Sequence, residues 1–109
     1  MIPKLNLSKV ANQEPDWNGF IGKNIDSVIN RLKEWYSTSP LLVIEDSLGY
    51  SGFRKVTMVN PDFRVIIVCE TDSLNDIKNG RLAAKDAKWY VLDIFVSAIR
   101  HDEPDNPFN

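Results

Sequence analysis

Five consecutive apolar residues, Val65-Ile-Ile-Val-Cys69, constrain this chain more than any other feature. Successive residues of a strand point to opposite faces, so a run that is apolar at every position belongs in the middle of a sheet covered on both sides. Just before it stands Asn60-Pro61-Asp62. Proline presets the backbone for the second position of a type I turn, and Asp or Asn is favoured beside it. The stretch Lys55–Val65 therefore reads as two strands joined by a tight turn.

Three β-rich runs are expected, Leu41–Glu45, Phe53–Val59 and Phe63–Glu70, with Gly49 and Gly52 marking the first connection. Arg54, Lys55 and Thr57 interrupt the second run, which should be half-exposed. Short turns between successive strands imply an antiparallel meander, because parallel pairs need a longer crossover. Upstream, Ile25, Val28, Ile29, Leu32 and Tyr36 follow helical spacing. Asn24 can cap that helix and Asp26 lies in its first turn, where exposed N–H groups favour negative charge. Pro40 ends it, since proline disfavours helical geometry in its predecessor.

Ser73 and Gly80 bracket a short helical turn at Leu74–Asn79. From Arg81 to Arg100 the spacing of Ala84, Ala87, Val91, Ile94, Phe95 and Ala98 predicts a long second helix. Trp89–Val96 is rich in aromatic and β-branched residues and also fits a strand. Length and the start Ala83-Ala-Lys-Asp-Ala87 favour the helix. The expected fold class is α+β: an antiparallel three-stranded meander flanked by an N-terminal helix and a long C-terminal helix. Residues 1–109 form one domain, with 1–20 a packed arm anchored by Leu5, Leu7, Val10, Trp17 and Phe20. Residues 101–109 form a flexible tail.

Composition narrows function by exclusion. At 43% hydrophobic and 26% charged the chain belongs with globular proteins. A net charge of −2 gives no overall pull toward phosphate backbones, so no direct nucleic-acid partner is expected. No run is long and apolar enough to span a bilayer or serve as a signal peptide, and Cys69 has no cysteine to pair with. No membrane association and a cytoplasmic location are the expectation.

Catalytic chemistry finds little support. His101 is the only histidine and, with Cys69, cannot build a zinc site. Cys69 reads as a small buried hydrophobe, and Gly22-Lys23 lacks the spacing of a phosphate loop. No enzyme activity, cofactor or metal is expected. The late segment carries a second apolar stripe, Trp89, Leu92, Val96 and Ile99, which could face the first helix, a target or a mate in a homodimer.

The segment 17–68 resembles the potato inhibitor I family of serine-protease inhibitors. The resemblance is carried by Trp17 with Gly22-Lys23 at the start of the helix, by Val56-Thr57-Met58, and by Arg64-Val65. It implies that Met58 occupies the specificity position, that Val59 follows the scissile bond and that Arg64 braces the loop. The tight-turn chemistry of Asn60-Pro61-Asp62 points the other way, to a hairpin. The favoured expectation is a small cytosolic protein that occludes another protein's active site, most like a bacterial toxin-immunity protein. Its partner-binding residues are expected to be Asp46, Tyr50, Glu70, Asp72 and Asp76, an aromatic anchor and acidic groups facing a basic cleft. A structural or oligomerisation module is the remaining alternative.

Overall fold

The computed structural model describes residues 14–48 and 52–99. The expected packing of residues up to 13 and the tail 101–109 lie outside them. A 3-10 turn at Trp17–Phe20 leads into helix α1 (Ile25–Trp35). Strands β1 (Leu42–Leu48), β2 (Phe53–Val59) and β3 (Phe63–Glu70) follow, then a short helix α2 (Leu74–Lys78), a 3-10 turn at Ala84–Asp86 and strand β4 (Tyr90–Ala98). The strands form one antiparallel sheet in the order β1-β2-β3-β4.

This corrects the expected topology. The sheet has four strands rather than three, and Tyr90–Ala98 is a strand where a long C-terminal helix was expected. The reason is the demand of β3. In a three-stranded meander, β3 would lie at an edge, with its outward backbone groups unpaired along an apolar run. Pairing with β4 from Phe63↔Ala98 to Glu70↔Tyr90 removes that exposure. The density of Trp, Tyr, Val, Ile and Phe in 89–96 suits the strand it becomes. The helix-forming Ala-rich start makes only a single 3-10 turn, whose Ala84 carbonyl accepts a hydrogen bond from Trp89 Nε1 at 2.9 Å.

One face of the sheet is covered. Ile25, Val28 and Leu32 of α1 form the core with Val56, Met58, Val65, Ile67, Cys69 and Val91. Asn24 caps α1 as its composition suggests, its Oδ1 accepting from the Asp26 N–H at 2.8 Å. On the other face Ile66 and Val68 are only half-buried, so the expectation of cover on both sides of β3 holds for one side. At β1 every residue is exposed, including Leu42 at 64%.

The β2–β3 turn is a hairpin, as its residues indicate. The buried Asn60 side chain accepts from the N–H groups of Asp62 (2.8 Å) and Phe63 (3.0 Å) and donates to the Ser39 carbonyl at 3.1 Å. It thereby ties the hairpin to the connection between α1 and β1. Asn60→Ala should cost about 2–3 kcal/mol, roughly 1 kcal/mol per lost hydrogen bond. Urea unfolding measures this, and a loss below about 0.5 kcal/mol would show that the side chain is not holding the turn.

Candidate functional site

Cross-strand register brings one end of the sheet together: Phe53 opposes Glu70, which in turn opposes Tyr90. Helix α2 closes this end, with Ile77 packed on the core and Leu74 against Gly52. Gly52 has φ +92°, and a Cβ there would stand 3.0 Å from the Leu74 side chain. Only glycine satisfies both conditions without strain or displacement.

Of the predicted binding residues, Glu70, Asp72 and Asp76 lie at or next to this end, whereas Asp46 stands further along the sheet, opposite Val56. Asp46 on β1 is held by Arg54 through two hydrogen bonds, 2.9 Å to Nε and 2.7 Å to an Nη. That bidentate contact pushes the Arg54 guanidinium pKa upward, the Asp46 hydrogen bond being the largest cause. Asp76 pairs with Arg81 at 3.3 Å, and its backbone carbonyl accepts from the N–H groups of Arg81 and Leu82. Glu70 and Asp72 are exposed and, among the described residues, make no ion pair. Asp72 accepts only a long 3.5 Å bond from Ser73 Oγ. Tyr50 lies outside the described residues.

The surroundings temper the idea of an acidic rim. Between residues 70 and 88 the acids Glu70, Asp72, Asp76 and Asp86 are matched by Lys78, Arg81, Lys85 and Lys88. The electrostatic feature is local: Glu70 and Asp72 are exposed two residues apart without an ion pair among the described residues, while Asp46 and Asp76 are paired with Arg54 and Arg81.

Two surfaces escaped sequence reasoning. One is the exposed β1 edge, with Leu42, Val43, Ile44 and Leu48. Its length was hidden because Glu45-Asp46 looked like a strand end, whereas Lys55 and Arg54, diagonally across on β2, pair with both acids within the strand. The other is a concavity of about 460 Å³ between the first 3-10 turn and α1, lined in part by Pro15, Phe20, Lys23, Arg31 and Trp35. Arg31 sits over the Trp35 ring at 5.4 Å, a contact set by their i, i+4 spacing.

Of the residues implied by the protease-inhibitor resemblance, Arg64 is exposed and Val59 half-buried, but the specificity residue is not displayed. Met58 is fully buried and pairs with Val43 and Val65, while Val59 is paired with Leu42 and Arg64. Cys69 is also fully buried, and desolvation pushes its thiol pKa to about 11, so it is protonated and inert at neutral pH. Among the described residues no cluster of three or more His, Cys, Asp or Glu could hold a metal ion. No helix among them is long and apolar enough to cross a membrane. Comparisons with protein-family models, curated proteins and solved structures return no match.

Burial of Cys69 generates a pH dependence. Its folded pKa is raised from 9.0 to about 11, so the stabilisation is complete below pH 9 and is lost as pH rises to about 11. Tyr36, raised from 10.0 to about 12 by burial and then by Glu14, extends the decline upward. Stability measured by denaturant should fall by on the order of 2 kcal/mol between pH 9 and 11 in the parent chain. Cys69→Ala should be nearly flat until about pH 10. Equal slopes in the two proteins would rule out the thiol as the source.

Proposed function

We propose that the chain is a small binding protein that inhibits another protein by occluding its active site, and that it is an immunity protein acting on a toxin in the cytosol. The observation that carries this reading is that Glu70, at the end of β3, and Asp72, two residues on, are both exposed beside α2. Among the described residues neither carboxylate makes an ion pair, and the contact between Gly52 and Leu74 fixes α2 against the start of β2. Carboxylates on a rigid platform suit encounter with a basic cleft, where charge raises the association rate and fixes orientation. Asp46 and Asp76 then act indirectly, by fixing β1 and the turn after α2.

The protein-inhibitor reading draws more support than the protease-inhibitor one. The latter needs Met58 offered on an extended loop, whereas that residue lies in the core.

Co-purification with the product of the neighbouring gene tests the proposal. A stable complex is expected, and Glu70→Lys with Asp72→Lys should weaken it at least tenfold, chiefly through a slower, salt-sensitive association rate. Asp46→Asn should leave affinity within about twofold while costing on the order of 1 kcal/mol of stability, a modest figure because Asp46 is partly exposed. Absence of any complex would remove the immunity reading. A complex indifferent to the double charge reversal would move the docking surface elsewhere.

A further inference from the structure

The two edges of the sheet differ in what they can accept. At the start of β4 the outer edge is already used: the Gly22 N–H donates to the Val91 carbonyl at 2.7 Å, and the Val91 N–H donates to the Lys23 carbonyl at 2.8 Å. Beyond the bulge at Cys69/Val91 no strand among the described residues pairs with this edge. The Ile94 N–H bonds to its own Asp93 carboxylate at 2.9 Å, so Ile94 faces outward. The Ile99 N–H bonds inward to the Asp62 carbonyl at 2.8 Å. Backbone groups of an antiparallel strand alternate in direction, which turns those of Val96 and Ala98 outward with Ile94. The same stretch exposes Leu92, Phe95 (53%), Val96 and Ile99.

We propose that two copies of the chain associate through β4, antiparallel about a two-fold axis at Val96, to make a continuous eight-stranded sheet. In this register Ile94 opposes the second copy's Ala98, and Val96 opposes its own equivalent. Each outward-facing residue therefore meets another outward-facing residue, and three hydrogen-bonded pairs form once the Ile94 N–H exchanges its Asp93 carboxylate for the second copy's Ala98 carbonyl. Asp93 opposes Ile99 and Phe95 opposes Ser97, so no like charges meet. Val96, Ile94 and Ala98 share one face, giving a continuous apolar row across the axis.

Charge and regularity together separate this edge from β1. Pairing β1 with a second copy about Glu45 sets Leu42 against Leu48 and Glu45 against Glu45, and a shift of one residue toward Asp46 sets Glu45 against Asp46. Only registers nearer Ile44, where the strand is bulged, avoid like charges. Like charges directly opposite are destabilising, and the bulge between Val43 and Glu45 spoils the ladder as well. At β1 the bulge falls at Ile44, in the registers that avoid like charges, whereas β4 is regular from Asp93 to Ala98. The axis lies about six residues, ~20 Å, from the Glu70–Asp72 end, so the dimer leaves that end open and does not depend on the inhibitory role.

Sedimentation of the full chain across concentration, with Val96→Cys, Ile44→Cys and Val96→Lys, tests this. A hydrogen-bonded antiparallel pair places Cα atoms ~5.5 Å apart, within disulfide range. A concentration-dependent dimer is expected, with Val96→Cys cross-linking on oxidation, Ile44→Cys not doing so, and Val96→Lys remaining monomeric with an unchanged circular dichroism spectrum. A monomer at every concentration would overturn the proposal, and slow amide exchange at Val96 and Ala98 in that monomer would assign the edge to cover from within the same chain. Cross-linking through Ile44→Cys instead, or a dimer that survives Val96→Lys, would also overturn it.

Discussion

The pairing of β3 on both of its edges is the constraint on which the rest of the structure depends. Val65, Ile67 and Cys69 supply the fully buried centre of the core, and their backbone groups need partners as much as their side chains need cover. The Asn60 turn delivers β2 to one edge locally. The other edge is met by 90–98, a segment from beyond α2. Once β4 is in place, Trp89 is drawn under α1 and Val91 pairs with Lys23 and Gly22, so the helix entry is clamped to the sheet.

Local features were readable in the sequence because their causes are local. The Asn24 cap, the spacing of Ile25, Val28 and Leu32, and the Asn60-Pro61-Asp62 turn are each decided within a few residues. The fate of 81–100 was not, because its intrinsic preferences conflict. An Ala-rich start and helical spacing say helix, while Trp89–Val96 says strand. The decision rests with a partner more than 20 residues earlier, and neither periodicity nor propensity records it. The length of β1 was obscured in a similar way, since Glu45 and Asp46 look like a terminus until Lys55 and Arg54 are found diagonally across on β2.

The candidate site was legible as a set of exposed acids near strand ends, but not as a division of labour. Asp46 and Asp76 read the same as Glu70 and Asp72 in the sequence, and their separation depends on where Arg54 and Arg81 fall in space. The Arg54–Asp46 pair crosses from β2 to β1, so only the register reveals it. What remains for a partner is a smaller feature than the sequence suggested, two carboxylates on a rigid end. The sheet carries a second possibility on its far edge, where geometry favours a copy of itself. Each surface can be used without obstructing the other.

The most direct test of this account is whether 90–98 lies beside β3. Because the Ile94 backbone groups face outward, Ile67 and Ile94 form a non-hydrogen-bonded antiparallel pair with Cα atoms ~4.5 Å apart. Nuclear Overhauser spectra should show a strong Hα–Hα contact between Ile67 and Ile94. Helical contacts from residue i to i+3 through 90–98, with no Hα contact to β3, would contradict it.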